Sequence, residues 1–214
     1  MASRYRSRIL IADDHTLIAE ACKALLQPEF DIVGIASDGR SMLRLADEVH
    51  PDVVIIDIAM PQLNGLDAGE QLLRRHPGAK LVFLTMTTAA DVAAEAFRRG
   101  ASAYVVKHST ADELVTAVRR VLRGESYLSP LITKETVEFL LRTNKPYKAE
   151  KKISGRQAEV LQLLAEGKSM KEIAYILDVK PGTVAFHKYK IMEQLELKSN
   201  AKLVEFALKH HMVG

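Results

Sequence analysis

Tryptophan is absent from this chain of 214 residues, and cysteine occurs once, as Cys22. A single cysteine forms no internal disulfide and is typical of a protein kept in a reducing compartment. No apolar run approaches the roughly 18 residues that a membrane-spanning helix needs, and the N-terminal sequence MASRYRSR lacks the apolar core of a secretion signal. We therefore expect a soluble cytoplasmic protein that makes no membrane contact.

The composition is 48% hydrophobic and 27% charged, which is ordinary for globular proteins and allows a core to form. The length favours two domains of modest size over one. The formal net charge of +3 is unevenly distributed, because residues 151–214 carry 11 basic against 7 acidic side chains. A small basic module attached to a nearly neutral one suggests an anionic partner for the C-terminal third.

Short apolar runs alternate five times with amphipathic segments between Arg8 and Arg123. The apolar runs are residues 9–12, 32–36, 53–56, 81–84 and 103–106. The helical candidates are approximately residues 15–26, 40–49, 66–76, 89–99 and 110–123. This alternation predicts an α/β domain with a five-stranded, doubly wound parallel sheet that has helices on both faces.

The third run, Val53–Ile56, has no polar alternation and is followed directly by Asp57. Such a run is typical of a central strand covered on both faces. Pro61 and Gly65 then break the chain into a loop. Asp57 is therefore expected at the carboxyl end of a central strand, where open α/β sheets bind their ligands.

Polar side chains also follow the other strands: Asp13 and Asp14 after the first, Thr85 after the fourth and Lys107 after the fifth. The carboxyl ends of parallel strands share one edge, so three carboxylates can converge there. Their mutual repulsion favours a bound hard cation, and an all-oxygen site suits Mg²⁺. A carboxylate nucleophile beside a metal ion and a lysine indicates a phosphoryl acceptor.

Simpler roles exist for each of these residues taken alone. Asp14 could cap the following helix, as acidic residues after strands often do. His15 could be a metal ligand, but Mg²⁺ prefers oxygen and a solvent-facing histidine at a helix start is the favoured interpretation. The joint pattern, rather than any one residue, favours the functional site.

These residues resemble a known family. The motifs DDH at 13–15, DIAMPQLNG at 57–65, LTM at 84–86 and AYVVK at 103–107 are similar to the receiver domain of bacterial two-component response regulators, over residues 8–124. The resemblance implies a flavodoxin-like sheet. Many receivers have proline after the lysine, where this chain has His108, so the peptide geometry after Lys107 stays open.

The resemblance also assigns roles to residues. It implies that a partner sensor histidine kinase phosphorylates Asp57. The ligands that it implies for Mg²⁺ are Asp13, Asp14, Asp57 and the backbone of Ala59. Thr85 and Lys107 would contact the phosphoryl oxygens, and Tyr104 would change rotamer as a switch. An aromatic residue in a strand also has the simpler role of packing in the core.

A connector follows the first domain. Ser129-Pro130 predicts the start of a short helix to about Arg142, and the lysine-rich, polar stretch 143–152 is typical of a tether. A nucleic-acid-binding arm is the alternative for this stretch. The predicted domains are therefore a receiver at 1–124, a linker at 125–152 and a third unit at 153–214.

Capping-box patterns begin two helices of the third unit, at Ser154 with Gln157 and at Ser169 with Glu172. Residues 178–180 form a short turn, and Pro181 suits the first position of the next helix. This spacing predicts a small all-α domain of four helices in a helix-turn-helix arrangement.

The stretch from 154 to 210, which begins SGRQAEVLQLLAEGKSMKEIAYILDV, resembles the LuxR-type DNA-binding domain of NarL/FixJ-like regulators. The resemblance implies that double-stranded DNA is a partner. A helical module that binds protein is the alternative. The predicted DNA-contacting residues are Lys168, Lys171, Thr183, Ala185, Phe186, Lys188, Tyr189, Lys190 and Lys198.

The third helix of this unit offers no arginine or asparagine on its outward face for a bidentate contact with guanine or adenine. We therefore expect base reading by apolar contact from Ala185 or Phe186 with thymine methyls, aided by the Tyr189 hydroxyl. Affinity would come mainly from lysine contacts with phosphates. Val184 and Ile191 are expected to pack inward.

Together these patterns predict a transcription factor that is phosphorylated at Asp57, dimerises and binds DNA. It would not be an enzyme beyond self-phosphorylation from small donors and slow loss of its own phosphoryl group.

One alternative function is that of a Mg²⁺-dependent aspartate-nucleophile phosphatase, but such enzymes need a second acid where this chain has Ala59. Another is a regulator that works through protein contacts or without phosphorylation. A flavodoxin-like cofactor binder would need a glycine-rich phosphate loop after the first strand.

Overall fold

The computed structural model describes residues 6–132, 153–210 and 212–213. Its N-terminal part alternates strands and helices: β1 Arg8–Ala12, α1 Thr16–Leu26, β2 Asp31–Ala36, α2 Gly39–Val49, β3 Val53–Ile56, α3 Gly65–Arg75, β4 Lys80–Thr85, α4 Ala90–Arg98, β5 Ala103–Val106, α5 Ala111–Leu122 and β6 Tyr127–Leu128. Its C-terminal part is helical: α6 Gly155–Ala165, α7 Met170–Ile176, α8 Pro181–Gln194 and α9 Asn200–Lys209.

The sheet has the strand order β2-β1-β3-β4-β5-β6, and every pair of neighbouring strands is parallel. This order places β3 near the middle, flanked by β1 and β4. All four residues of β3 are buried, because helices cover both faces of the sheet. The carboxyl ends of β1, β3, β4 and β5 therefore lie side by side along one edge.

Two cores form because successive strand residues point to opposite faces. On one face, Leu10 and Val54 pack with buried residues of α2, α3 and α4. On the other, Ile9 and Ile55 pack with buried residues of α1 and α5, including Cys22. Helices α2, α3 and α4 therefore pack on one face of the sheet and α1 and α5 on the other. This arrangement determines which loops lie next to each other at the carboxyl edge.

The predicted doubly wound parallel sheet is confirmed, and the five predicted helices begin and end within about one residue of their expected bounds. A sixth strand, Tyr127–Leu128, pairs with β5 and extends the sheet into the segment expected to be linker. Two residues are too few to show a periodic pattern, so this strand was not predicted. The described residues stop at 132, so residues 133–142 of the predicted linker helix lie outside them. The predicted tether, residues 143–152, lies outside them as well.

The C-terminal domain has the four helices and the helix-turn-helix that its capping signals predicted. Ser154 and Ser169 each form a complete capping box with the residue three positions on. Asp178, with a φ of 51°, makes the turn between α7 and α8. Val184 and Ile191 of α8 are fully buried against a core shared with the other three helices. None of the helices in the described ranges is long and apolar enough to cross a lipid bilayer.

Candidate functional site

The predicted cluster of charged residues forms at the carboxyl edge of the sheet. Asp13 and Asp57 follow the adjacent strands β1 and β3, and Lys107 follows β5. The ammonium of Lys107 donates to Oδ2 of Asp13 and to Oδ2 of Asp57, both at 2.7 Å. Both carboxylates are almost completely buried, at 3% and 4% exposure. One lysine thus bridges the two acids that lie deepest in the site.

The second oxygen of each buried acid faces backbone. Oδ1 of Asp13 accepts a hydrogen bond from the backbone N–H of His15 at 2.9 Å. Oδ1 of Asp57 faces the backbone N–H of Ala59 at 3.4 Å. The longer contact at Asp57 leaves this oxygen the more weakly bound of its two, which suits a nucleophile.

Lys107 remains a cation in this environment. Burial alone would lower its pKa, but its hydrogen bonds to Asp13 and Asp57 outweigh that effect and hold the pKa above its ordinary value. Its positive charge is therefore available at neutral pH to pair with an anionic group added at Asp57.

Asp14 and His15 lie at the exposed rim of the cluster. The Nδ1 atom of His15 lies 2.8 Å from Oδ1 of Asp14, and the imidazole is largely exposed, as expected for a helix-start histidine. The alternative role of Asp14 as the cap of α1 is wrong. His15 occupies the cap position, and no side chain caps that helix. The carboxylate of Asp14 therefore does not cap the helix and can act as a ligand in the cluster.

The donor set fits a divalent cation. Ligand atoms of Asp13, Asp14, His15 and Asp57 lie within 4.8 Å of one another. Three carboxylates against one lysine leave an excess of negative charge that a divalent cation would balance. The oxygen-rich donors favour a hard cation, and Ala59, whose backbone is the remaining predicted ligand, is exposed two residues after Asp57.

Thr85 and Tyr104 lie on the neighbouring strands and are both buried. Oγ1 of Thr85 faces the backbone N–H of Thr87 at 3.4 Å, and the Tyr104 hydroxyl donates to the Thr87 carbonyl at 3.0 Å. Burial raises the pKa of Tyr104 well above its ordinary value, so the phenol stays protonated and can donate this bond. Both residues therefore contact the same short segment after β4, with the Tyr104 ring directed inward.

The peptide geometry after Lys107, which the sequence left open, is trans, because no peptide bond in the described ranges is cis.

The loop 58–64, which we call the acceptor loop, follows Asp57 and is tightly closed. The backbone N–H of Gly65 donates to the carbonyl of Ile58 at 2.8 Å, and Met60 and Leu63 are buried. After β2, the carboxylate of Asp38 caps α2 by accepting from the backbone N–H groups of Arg40 and Ser41.

The predicted DNA-contacting residues divide by exposure. Those that are exposed are Lys168, Lys171, Thr183, Ala185, Phe186, Tyr189 and Lys198, and those that are half-buried are Lys188 and Lys190. Phe186 and Tyr189 expose 58% and 64% of their surface, and adjacent exposed aromatic side chains can mark an interaction surface. The ammonium of Lys190 binds Glu193 at 2.8 Å, so its charge is partly balanced within the helix.

Sequence reasoning missed a set of polar residues on α6 that contact the receiver. Glu159, Gln162 and Glu166 hydrogen bond to the acceptor loop or to α2 and α3. Their spacing of three and four residues places them on one helical face, but polar residues on a helix ordinarily face solvent. No signal in the sequence distinguishes such a face from one that binds another domain.

Two known protein families match the two parts of this chain. The family described as response regulator receiver domain matches residues 9–119, and the bacterial regulatory proteins of the luxR family match residues 151–207. The oxygen regulatory protein NreC of Staphylococcus carnosus is 36% identical over 96% of this chain and 99% of its own length.

Two solved structures extend the comparison. A LuxR-family two-component response regulator from Aurantimonas sp. SI85-9A1 covers 64% of this chain and 100% of its own, with 32% identity and a TM-score of 0.60. The RcsB response regulator of Salmonella typhimurium, studied for its conformational dynamism in DNA interaction, covers 95% of this chain and 97% of its own. Its identity is 22% and its TM-score 0.62, so it supports the fold alone.

Proposed function

Since this chain belongs to the LuxR-family two-component response regulators, which are transcription regulators, we propose that Asp57 accepts a phosphoryl group from a sensor histidine kinase. Phosphorylation then controls dimerisation and DNA binding by the helical domain. The observation that carries the proposal is the bridge from Lys107 to the buried carboxylates of Asp13 and Asp57. The domains are residues 1–124, which receive the signal, and 153–214, which bind DNA, joined by 125–152.

The residues of the site have distinct tasks in the transfer. The Oδ1 oxygen of Asp57 attacks the phosphorus, and the bond from phosphorus to the kinase histidine breaks as an acyl phosphate forms. The leaving imidazole nitrogen takes a proton from water. Lys107 and the hydroxyl of Thr85 bind the oxygens of the phosphoryl group as it is transferred to Asp57. Mg²⁺, held by Asp13, Asp14, Asp57 and the Ala59 backbone, supplies neutralising charge when it is bound.

Turnover of external substrates is disfavoured at this site. A phosphatase that uses an aspartate nucleophile needs a second acid two residues on, and Ala59 has no ionisable group. The protein therefore keeps its phosphoryl group long enough to act as a signal, accepts phosphate from small donors such as acetyl phosphate, and loses it slowly.

DNA binding is proposed for the surface formed by α7 and α8. α8 presents Ala185, Phe186 and Tyr189 to solvent, with Lys171 exposed on the preceding helix. A helix-turn-helix places its second helix in the major groove, where apolar side chains can contact thymine methyls. Two copies of the chain would place two such helices on paired half-sites.

A binding titration tests this function. We expect the phosphorylated full-length chain to bind its selected duplex more tightly and as a dimer, as measured by fluorescence anisotropy with and without acetyl phosphate. Binding sites selected from random duplexes should be rich in A·T pairs at the positions that face Ala185 and Phe186. A selected site read mainly through guanine at those positions would contradict the proposed base contacts.

The salt dependence of DNA binding distinguishes two lysines. Lys171→Ala should reduce the slope of log K against log salt by about 0.9 for each bound subunit, because one phosphate contact is lost. Lys190→Ala should reduce it less, since Glu193 already balances that charge. Equal slopes for both variants and the unmodified chain would exclude this surface as the DNA interface.

A further inference from the structure

Helix α8 presents an almost entirely apolar face to solvent. The exposed residues on this face are Gly182, Ala185, Phe186 and Tyr189. A helix turns by about 100° per residue, so these four positions fall within about 100° of one another around its axis. They lie opposite Ile191, which is fully buried in the core of the helical domain. We call these four residues the reading face.

The reading face carries no side chain that can make a bidentate hydrogen bond with a base. Such contacts with guanine come from arginine or lysine, and those with adenine come from asparagine or glutamine. None of the four residues is of these types, and the only polar side-chain group among them is the hydroxyl of Tyr189. Recognition of a base by this face therefore depends mainly on apolar contact.

Lysines lie on both sides of the reading face. Lys190 is about 90° from its centre on one side and Lys188 is about 110° away on the other. The ammonium of Lys190 lies 6.0 Å from the centroid of the Tyr189 ring, at the edge of the face. The major groove is bordered by the phosphates of both strands, so this charge pattern complements a helix inserted with its apolar face toward the bases.

Gly182 indicates which end of the reading face comes nearest to the bases. It lies in the first turn of α8, where its φ is not positive and an added Cβ would meet no atom within 4 Å. Neither packing nor backbone conformation therefore requires glycine, which is unfavourable within a helix. Glycine also permits a close approach of the backbone to a ligand. The N-terminal half of the reading face is thus open to the floor of the groove.

The apolar groups that the major groove offers to such a face are C5-methyl groups. Among the four unmodified bases only thymine has one. 5-Methylcytosine carries the same methyl group at the same ring position. We propose that the reading face recognises the C5-methyl group itself, so that 5-methylcytosine can replace thymine there and methylation of cytosine in a target site raises the affinity. This inference rests on the DNA binding by α8 proposed above.

The hydroxyl of Tyr189 is compatible with both methylated bases. Next to its methyl group, thymine presents the O4 acceptor, whereas 5-methylcytosine presents the N4 donor. A phenol hydroxyl both donates and accepts hydrogen bonds, so it can pair with either group. A lysine ammonium at this position could only donate and would discriminate against cytosine. The polar group of the reading face therefore leaves the choice of base to the methyl contact.

Single-atom changes in the DNA test the proposal. The full-length chain, kept phosphorylated with acetyl phosphate, is titrated by fluorescence anisotropy against its selected duplex. Each thymine is replaced in turn by deoxyuridine, which removes only the methyl group. At the positions that face Ala185 and Phe186, we expect binding to weaken by about 4-fold, the factor that corresponds to burial of one methyl group. At the same positions, a 5-methylcytosine·guanine pair should bind more tightly than a cytosine·guanine pair by a similar factor.

A variant of the reading face connects this effect to its residue. Phe186→Ala removes an exposed ring and introduces a good helix former, so the fold should persist, as a thermal melt would measure. In this chain the ratio of thymine to deoxyuridine affinity should fall to about 1 at the position that Phe186 contacts. Lys171→Ala is the matched control, because Lys171 lies on α7, outside the reading face. It should weaken binding to both duplexes and leave their ratio unchanged.

The outcomes distinguish the two levels of inference. If the chain shows no salt-dependent binding to any duplex, the proposed DNA-binding function fails. If the chain binds its selected duplex and deoxyuridine replaces thymine at every position without loss, the reading of methyl groups is contradicted while DNA binding stands. The same conclusion follows if methylated cytosine binds no better than cytosine, or if Phe186→Ala keeps the full preference for thymine at every position.

Discussion

The Asp57→Asn chain is expected to take up no label from radioactive acetyl phosphate above background, whereas the unmodified chain is labelled in a Mg²⁺-dependent reaction. Asparagine keeps the shape of the side chain and an acceptor for Lys107, but its amide is not a nucleophile toward phosphorus. The fold should therefore persist while the reaction stops. Phosphate-affinity electrophoresis and a thermal melt of the same sample measure both properties.

Asp31→Asn is a matched control for this experiment, because Asp31 is an exposed carboxylate at the amino end of β2, on the opposite edge of the sheet from the cluster. That chain should be labelled at the rate of the unmodified protein. The Asp57→Asn chain should also bind DNA with the same affinity with and without phosphoryl donor. Label that persists in Asp57→Asn, mapped to another residue by peptide analysis, would overturn the assignment of the acceptor.

Gly65→Ala should destabilise the receiver by about 3 kcal/mol and prevent labelling of whatever chain remains folded. A Cβ at this position would lie 2.0 Å from the carbonyl oxygen of Asp57 and 2.9 Å from the Cα of Ile58. Both contacts are with backbone, so no side-chain rotation can relieve them. The acceptor loop would have to move away from the residue that it positions. Urea denaturation and acetyl phosphate labelling test the two effects.

Gly78→Ala provides the comparison, since a Cβ there meets no atom within 4 Å. Its free energy of unfolding should stay within about 0.5 kcal/mol of that of the unmodified chain. If Gly65→Ala and Gly78→Ala unfold at the same urea concentration and are labelled equally fast, the close approach of the acceptor loop to Asp57 is absent in solution.

The sheet and the residues at its carboxyl edge could be predicted from the sequence, because both depend on local patterns of apolar and polar residues. The run Val53–Ile56 is apolar throughout, and the acid that follows it has to emerge where the strand ends. Asp13 and Lys107 follow from the same rule, applied to strands that the alternation with helices makes parallel. Their convergence was therefore predictable, although the bridge by Lys107 between two particular oxygens was not.

Contacts between domains were beyond the reach of the same reasoning. Gln162 and Glu159 occupy positions where a helix ordinarily meets water, and their burial depends on a surface about 100 residues earlier in the chain. The rotamer of Tyr104 is likewise a tertiary property, since it depends on the Thr87 carbonyl as well as on its own strand. Such features arise from packing between distant segments, and the spacing of apolar residues along the chain does not predict that packing.

Half of the receiver groups that hydrogen bond to Glu159, Gln162 and Glu166 are backbone groups, which has a consequence for how such proteins diversify. Substitutions in the acceptor loop alter side chains but leave the N–H and carbonyl groups of Met60, Gln62 and Asn64 in place. The choice of compatible partner domain therefore depends on a few side chains of the helical unit and on three receiver side chains, Arg40, Asn64 and Gln71. Recombination that exchanges output domains among receivers of this kind needs to preserve the residues equivalent to Glu159, Gln162 and Glu166 together with the receiver side chains that bind them.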